Sequence, residues 1–178
     1  MKEFKETKTY ENLMTAFAGE SQARNKYTYY ASKAKKEGYI QIAKVFEETA
    51  ANEKEHAEIW FKLFHGVGGT AENLLDAAAG EHEEWTSMYL NMAKEARDEG
   101  FMDIAEAFEK VGSIEKRHEE RYRKLKQNID EGRVFERDEE VEWICSNCGF
   151  TYKGKSAVDS CPVCSHSKAY FQLNVIDY

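Results

Sequence analysis

Glu53-Lys54-Glu55-His56 and Glu115-Lys116-Arg117-His118 stand sixty-two residues apart and repeat one phrase, a Glu followed three residues on by a His. On a helix, positions i and i+3 are neighbours, so each Glu and its His project from one face. One such pair says little. Two pairs at equivalent places of two related segments, each preceded by a further Glu one helix earlier, point to a carboxylate-bridged two-metal site. In helical bundles that site takes one Glu from each of two helices and one Glu-x-x-His from each of the others.

The surrounding sequence repeats as well. Sliding residues 27–63 onto 89–125 matches fifteen of thirty-seven positions without a gap, among them Tyr27/Tyr89, Ala31/Ala93, Gly38/Gly100, Phe46/Phe108, Glu53/Glu115 and His56/His118. The period is longer than the ~50 residues of solenoid repeats, and two copies of a helical hairpin fit it better. Two amphipathic hairpins with no site would explain the shared alanines and phenylalanines. They would not explain the shared Glu and His.

A chain of 178 residues holds one sizeable domain and a small one. Its net charge of −8 argues against nucleic acid and anionic membrane surfaces as partners. No apolar run approaches the roughly 20 residues that cross a bilayer. The start, Met1-Lys2-Glu3-Phe4-Lys5-Glu6, lacks the apolar core of a signal peptide, so the expected location is cytoplasmic. There, four cysteines read as metal ligands rather than disulfides. The only proline is Pro162, and the first 140 residues are rich in Ala, Glu, Lys, Leu and Met, so nothing interrupts helices there. The expected fold is an all-α four-helix bundle over residues 1–135, followed by a small irregular or β module over 136–178, with an acidic linker near 131–142.

The second helix reads Ile42, Phe46, Thr49, Glu53, His56, Trp60, Leu63, and the fourth Ile104, Phe108, Val111, Glu115, His118, Tyr122, Leu125. Gaps of four and three make the seam of an antiparallel bundle, with Glu and His on rungs where Leu belongs. Glu20 shares a stripe with Leu13, Phe17 and Tyr27 on the first helix. A carboxylate inside a bundle costs several kcal/mol unless compensated. Salt bridges or protonation could do so, but metal is the better answer where several acids converge with two histidines. Gly38 and Gly100 mark the turns. Glu20 and Glu53 lie roughly 27 and 22 Å from the first turn at 1.5 Å per residue, and Glu84 and Glu115 stand comparably about the second. The third helix breaks the symmetry by one residue: Glu81 matches Glu20 at an offset of sixty-one. Either a π-bulge absorbs the addition or the helices enter the bundle differently. Glu84, at i+3 from Glu81, is a second carboxylate or a solvated acid beside Glu83.

Cys145-x2-Cys148-x12-Cys161-x2-Cys164 is a strong tetrathiolate signal for zinc or iron. Spacing alone leaves a zinc ribbon and a redox iron centre both open. The link to a di-metal helical domain, which needs electrons, tips the balance to iron.

With these pieces together the chain resembles the rubrerythrin family, a ferritin-like di-iron domain followed by a rubredoxin-like iron domain. The matching pieces are Ala16-Phe17-Ala18-Gly19-Glu20-Ser21, both Glu-x-x-His pairs, Gly80-Glu81-x-x-Glu84-x-x-x-Met88-Tyr89, Glu131-Gly132-Arg133-Val134-Phe135 and the four cysteines. The resemblance implies a peroxidase of oxidative stress defence that reduces hydrogen peroxide to water. It also implies two cofactors, a non-haem di-iron centre and a mononuclear Fe(Cys)4 at Cys145, Cys148, Cys161 and Cys164. Electrons come from NAD(P)H through a separate reductase or rubredoxin. Carried over by position, Glu53 and Glu115 bridge the irons. Glu20, His56 and Glu84 serve one iron, and Glu81 and His118 serve the other. One iron moves between Glu84 and His56 on reduction. Tyr27 and Tyr89 hydrogen-bond the carboxylates, or simply pack. The resemblance also implies a homodimer or an assembly of dimers. A ferroxidase or iron-storage protein is the alternative function, and a zinc-ribbon binding module on a helical scaffold is a third.

Overall fold

The computed structural model describes residues 3–175. The chain divides into two compact units, residues 1–67 and 68–178.

The first unit is a helical hairpin of α1 (Lys8–Lys36) and α2 (Ile40–Phe64). Thr7 caps α1, its hydroxyl oxygen accepting the Tyr10 N–H at 3.2 Å. The helix stops at Gly38, whose φ of 85° only glycine takes without strain. There the Tyr39 N–H reaches the Ala34 carbonyl at 2.9 Å and the Gly38 N–H reaches Lys35 at 3.1 Å, which satisfies carbonyls the helix end leaves free.

The second unit repeats the hairpin. Its outgoing helix runs as α3 (Thr70–Glu83), a π turn (Glu84–Met88) and α4 (Tyr89–Asp98), and it returns as α5 (Met102–Asp130). The turn at Gly100 copies that at Gly38, with the Phe101 N–H on the Ala96 carbonyl at 2.8 Å. The π turn is the answer to the extra residue of the third helix. The Tyr89 N–H bonds the Glu84 carbonyl five residues back, and the wider turn absorbs one position without breaking the rod.

Within each hairpin the two helices meet along a seam of small residues, with the ladder's Phe46 and Phe108 half-buried beside it. Alanines form it: Ala31, Ala34, Ala43, Ala50 and Ala57 are buried in the first hairpin, and Ala78, Ala93, Ala96 and Ala105 in the second. Three pairs, Ala31/Ala93, Ala34/Ala96 and Ala43/Ala105, are repeat partners. Small side chains let the two helices of a hairpin approach closely. Gly112 continues the device, since a Cβ there would come within 3.2 Å of the Tyr89 Cβ. Ile42 and Leu63, at the ends of the ladder, remain about half exposed at 50% and 57%.

After α5 the chain turns at Gly132 into β1 (Glu136–Cys145), β2 (Thr151–Ser156) and β3 (Phe171–Leu173), an antiparallel sheet ordered β2-β1-β3. Trp143 pairs with Tyr152 on one side and Leu173 on the other. The core of this piece is small: Trp143, Cys145, Ala157, Cys161 and Phe171. Trp143 is fully buried and its ring N–H donates to the Gly154 carbonyl at 3.0 Å.

If the alanine seam sets the spacing of each hairpin, Ala43→Leu or Ala105→Leu overpacks it and costs about 1–3 kcal/mol. Chemical denaturation followed by helical circular dichroism checks this, and unchanged stability would show that the seam has slack.

Candidate metal centres

Each hairpin gathers one set of ligands. In the first unit Glu20 of α1 meets Glu53 and His56 of α2, with one donor atom from each lying within 4.8 Å of the others. His56 Nδ1 stands 2.8 Å from Glu53 Oε2, as the i, i+3 spacing requires. In the second unit Glu81 of α3 meets Glu115 and His118 of α5 in the same way. His118 Nδ1 lies 2.7 Å from Glu115 Oε2 and 3.6 Å from Glu81 Oε1.

The second set carries its own electrostatic signature. Burial pushes the Glu81 carboxyl up from its ordinary range, and the charges of Glu115 and Glu84 push it further against the pull of His118. Tyr89 is raised chiefly by burial and then by Glu84, Glu115 and Glu81, which places its phenol among those three carboxylates. Glu84, at the head of the π turn, stands outside the three-residue cluster yet is near enough for its charge to act on both. Tyr27, the repeat partner of Tyr89, packs by its ring against Phe46 and Tyr30, with centroids at 6.2 and 6.3 Å.

The donor sets fit a divalent transition metal. Two carboxylates and an imidazole suit iron, manganese or zinc. Crowded carboxylates that raise one another's proton affinity are stabilised by a cation among them.

The cysteines form a second kind of site. Cys145 and Cys164 Sγ are 3.7 Å apart and Cys148 and Cys161 Sγ are 3.6 Å apart. A tetrahedron with metal–sulfur bonds of ~2.3 Å has edges of about 3.8 Å, so the four sulfurs already stand at metal-binding separation. Two matching turns set them there. The Gly149 N–H bonds the Cys145 carbonyl and the Ser165 N–H bonds the Cys161 carbonyl, at 2.8 and 2.9 Å. Both turn residues take positive φ, 78° for Gly149 and 60° for Ser165. The backbone N–H of His166 stabilises the Cys164 thiolate and brings it down to about 6. At Cys148 the Phe150 N–H acts likewise, but desolvation and the other three thiols outweigh it and push the group up to about 12. Four thiols this close cannot all ionise alone; a cation lets them do so.

Sequence reasoning missed one group. Glu119 is buried, with only 7% of its surface exposed. Hydrogen bonds from Trp85 above all, outweighing desolvation, and then from Arg123 and His82, hold its carboxyl down at about 2. The signal was available in the repeat: Glu119 falls where the first copy has the buried Ala57, and acid for buried alanine is an unusual exchange.

The rubrerythrin family model matches residues 11–126 and, a second time, 72–142, and the family's rubredoxin-like domain matches 143–172. The chain belongs to the rubrerythrin family. It is 50% identical to Rubrerythrin-1 of Clostridium acetobutylicum, over 97% of each chain. It is 49% identical to a rubrerythrin of Porphyromonas gingivalis over 99% of this chain and 95% of that one. With a rubrerythrin of Nitratidesulfovibrio vulgaris it shares 44% identity over the whole of both. As a rubrerythrin-family protein it has a di-iron domain of Glu and His ligands and a rubredoxin-like four-cysteine iron site. Among the described residues no helix is long and apolar enough to cross a membrane.

A β module with a five-residue buried core is too small to stand unaided, since pieces below about 40 residues usually need a metal or disulfides. Removing the thiolate-bound ion is therefore expected to unfold residues 136–173 while leaving the helices formed. Loss of Trp143 protection with retained helical circular dichroism is the expected result, and a module that stays folded without metal would contradict it.

Proposed function

We propose that this chain is a non-haem di-iron peroxidase that reduces hydrogen peroxide to water and receives its electrons through Fe(Cys)4. The observation that carries the reading is the pairing, on one chain, of two Glu plus Glu-x-x-His ligand sets with a rubredoxin-like four-cysteine site, which with iron would pass electrons one at a time. The reaction breaks the O–O bond and consumes two electrons and two protons to give two waters. Two ferrous ions held by Glu20, Glu53, His56, Glu81, Glu84, Glu115 and His118 would supply both electrons.

The residues themselves do the rest. In this reading Glu53 and Glu115 would be shared by the two irons, Glu20, Glu84 and His56 would hold one, and Glu81 and His118 the other. Five carboxylates bring a charge between the +4 and +6 of the two oxidation states, so neither form is badly unbalanced. His56, its side chain half exposed, is the freest of these side chains, which would suit a ligand that exchanges with Glu84. Tyr89 sits where it can orient the carboxylates around it. A storage protein has no need of a one-electron relay, so the thiolate module favours the enzyme. We place it in the cytoplasm, fed by NAD(P)H through a separate reductase or rubredoxin.

The relay also bears on assembly. Glu115 lies fifteen residues before the end of α5 at Asp130, roughly 22 Å along the axis, and only 131–135 separate that end from β1. Tunnelling falls steeply with distance, so the thiolate iron of a second copy is the better donor. We therefore propose a homodimer, or an assembly of dimers, closed about a two-fold axis.

Two outcomes are expected. Reduced protein is reoxidised much faster by hydrogen peroxide than by dioxygen in stopped-flow spectroscopy; a preference for dioxygen with mineral formation would make it a ferroxidase. Mixed dimers of a Cys161→Ser chain with a Glu53→Ala chain regain steady-state activity that neither parent has. Verified mixed dimers without recovery would put the relay inside one chain.

A further inference from the structure

Glu119 is the one buried charged residue among the described residues, and all its partners lie around the π turn or on its own helix. The Trp85 ring N–H donates to Oε2 at 2.6 Å, His82 Nδ1 lies 3.0 Å from the same oxygen, and Arg123 Nε donates to Oε1 at 2.7 Å. Trp85 is the second residue of the π turn and follows Glu84 directly. His82 stands on the last turn of α3, two residues before Glu84. The carboxylate on α5 thus grips the outgoing helix on both sides of Glu84. His82 and Trp85 meet edge to face at 5.6 Å, and Lys116 Nζ lies 5.3 Å over the Trp85 ring, so the grip is packed as well as hydrogen-bonded.

A π turn is intrinsically poorer than the α-helix it interrupts and persists where something holds it. The repeat supplies an internal comparison. In the first hairpin the positions of His82, Trp85 and Glu119 are taken by Ser21, Arg24 and Ala57. There α1 runs without interruption from Lys8 to Lys36, and Ser21 bonds the Phe17 carbonyl of its own helix, at 2.7 Å. The extra residue, the π turn, the fifth carboxylate and the buried acid all occur in the second copy and are all missing from the first.

We propose that Glu119 is a positioning residue: it clasps the π turn through Trp85 and His82 and so fixes where Glu84 is presented. The clasp rests on the proposed function only in taking Glu84 as an iron ligand. A carboxylate suits the task because three donors converge on it, and an amide in its place would turn one hydrogen-bonding edge from acceptor to donor.

The test uses the full-length iron-loaded protein and two variants, Glu119→Gln, which keeps the volume, and Trp85→Phe, which keeps the ring and removes its N–H. Backbone hydrogen exchange followed by mass spectrometry is expected to speed up at least about ten-fold over residues 84–89 in both variants, with 120–130 of α5 unchanged. Unchanged exchange at 84–89, or the same acceleration throughout α3–α5, would overturn the clasp, the second because it signals general loosening. A second readout is the rate of iron loss to a chelator. Glu84→Ala is expected to hasten it, and adding Glu119→Gln to Glu84→Ala to change it no further; additive effects would show that Glu119 acts by another route. If Glu84→Ala alone leaves iron loss unchanged, the ligand reading of Glu84 fails, while the exchange experiment still decides the clasp.

Discussion

Like charges held close together are the constraint on which the rest of this molecule depends. Glu20 with Glu53, and Glu81 with Glu115, face one another across the two helices of a hairpin, with a histidine beside each pair. In water such acids would keep apart. Here helix geometry gives them no choice, and at Glu81 burial and the neighbouring charges of Glu115 and Glu84 push the carboxyl up. The cysteine site states the same problem in sulfur. Four thiols at metal-binding separation resist joint ionisation until a cation balances them. A cation among them would therefore complete the structure, and the helices and turns around each site hold repelling groups in place.

The hairpins achieve this with few resources. An alanine seam brings α1 to α2 and α3–α4 to α5, and Schellman turns at Gly38 and Gly100 close both hairpins in the same manner. The ligands then need only the correct helical phase. This is why the repeat, the turns and the six side chains that the hairpins gather in threes were legible in the sequence: each depends on spacing along a single helix or on the residue type at a turn. The one-residue insertion was legible too, as a choice between a π-bulge and a shifted helix, and the π turn at Glu84–Met88 decided it.

What escaped the sequence was packing between helices. The ladder from Ile42 to Leu63 has the right period for a seam, but period reports a face and not what lies against it; alanines beside it make the contact within the hairpin. Glu119 escaped for a similar reason. An acid next to a ligand histidine on a charged helix looks solvated, and only the fold brings Trp85 and His82 to it from thirty-four and thirty-seven residues away. The cysteine module hid its internal symmetry as well, since Gly149 announces a left-handed turn and Ser165, in the equivalent place, does not.

The metals held at the two kinds of site decide whether electrons can pass between them. Metal analysis of anaerobically purified protein, with its visible spectrum after oxidation, tests this directly. The account predicts about three iron ions per chain, two at the carboxylate ligands and one at the cysteines, and the red colour of an oxidised iron tetrathiolate. Colourless protein with zinc at the cysteines would contradict it, because no electron relay would then exist.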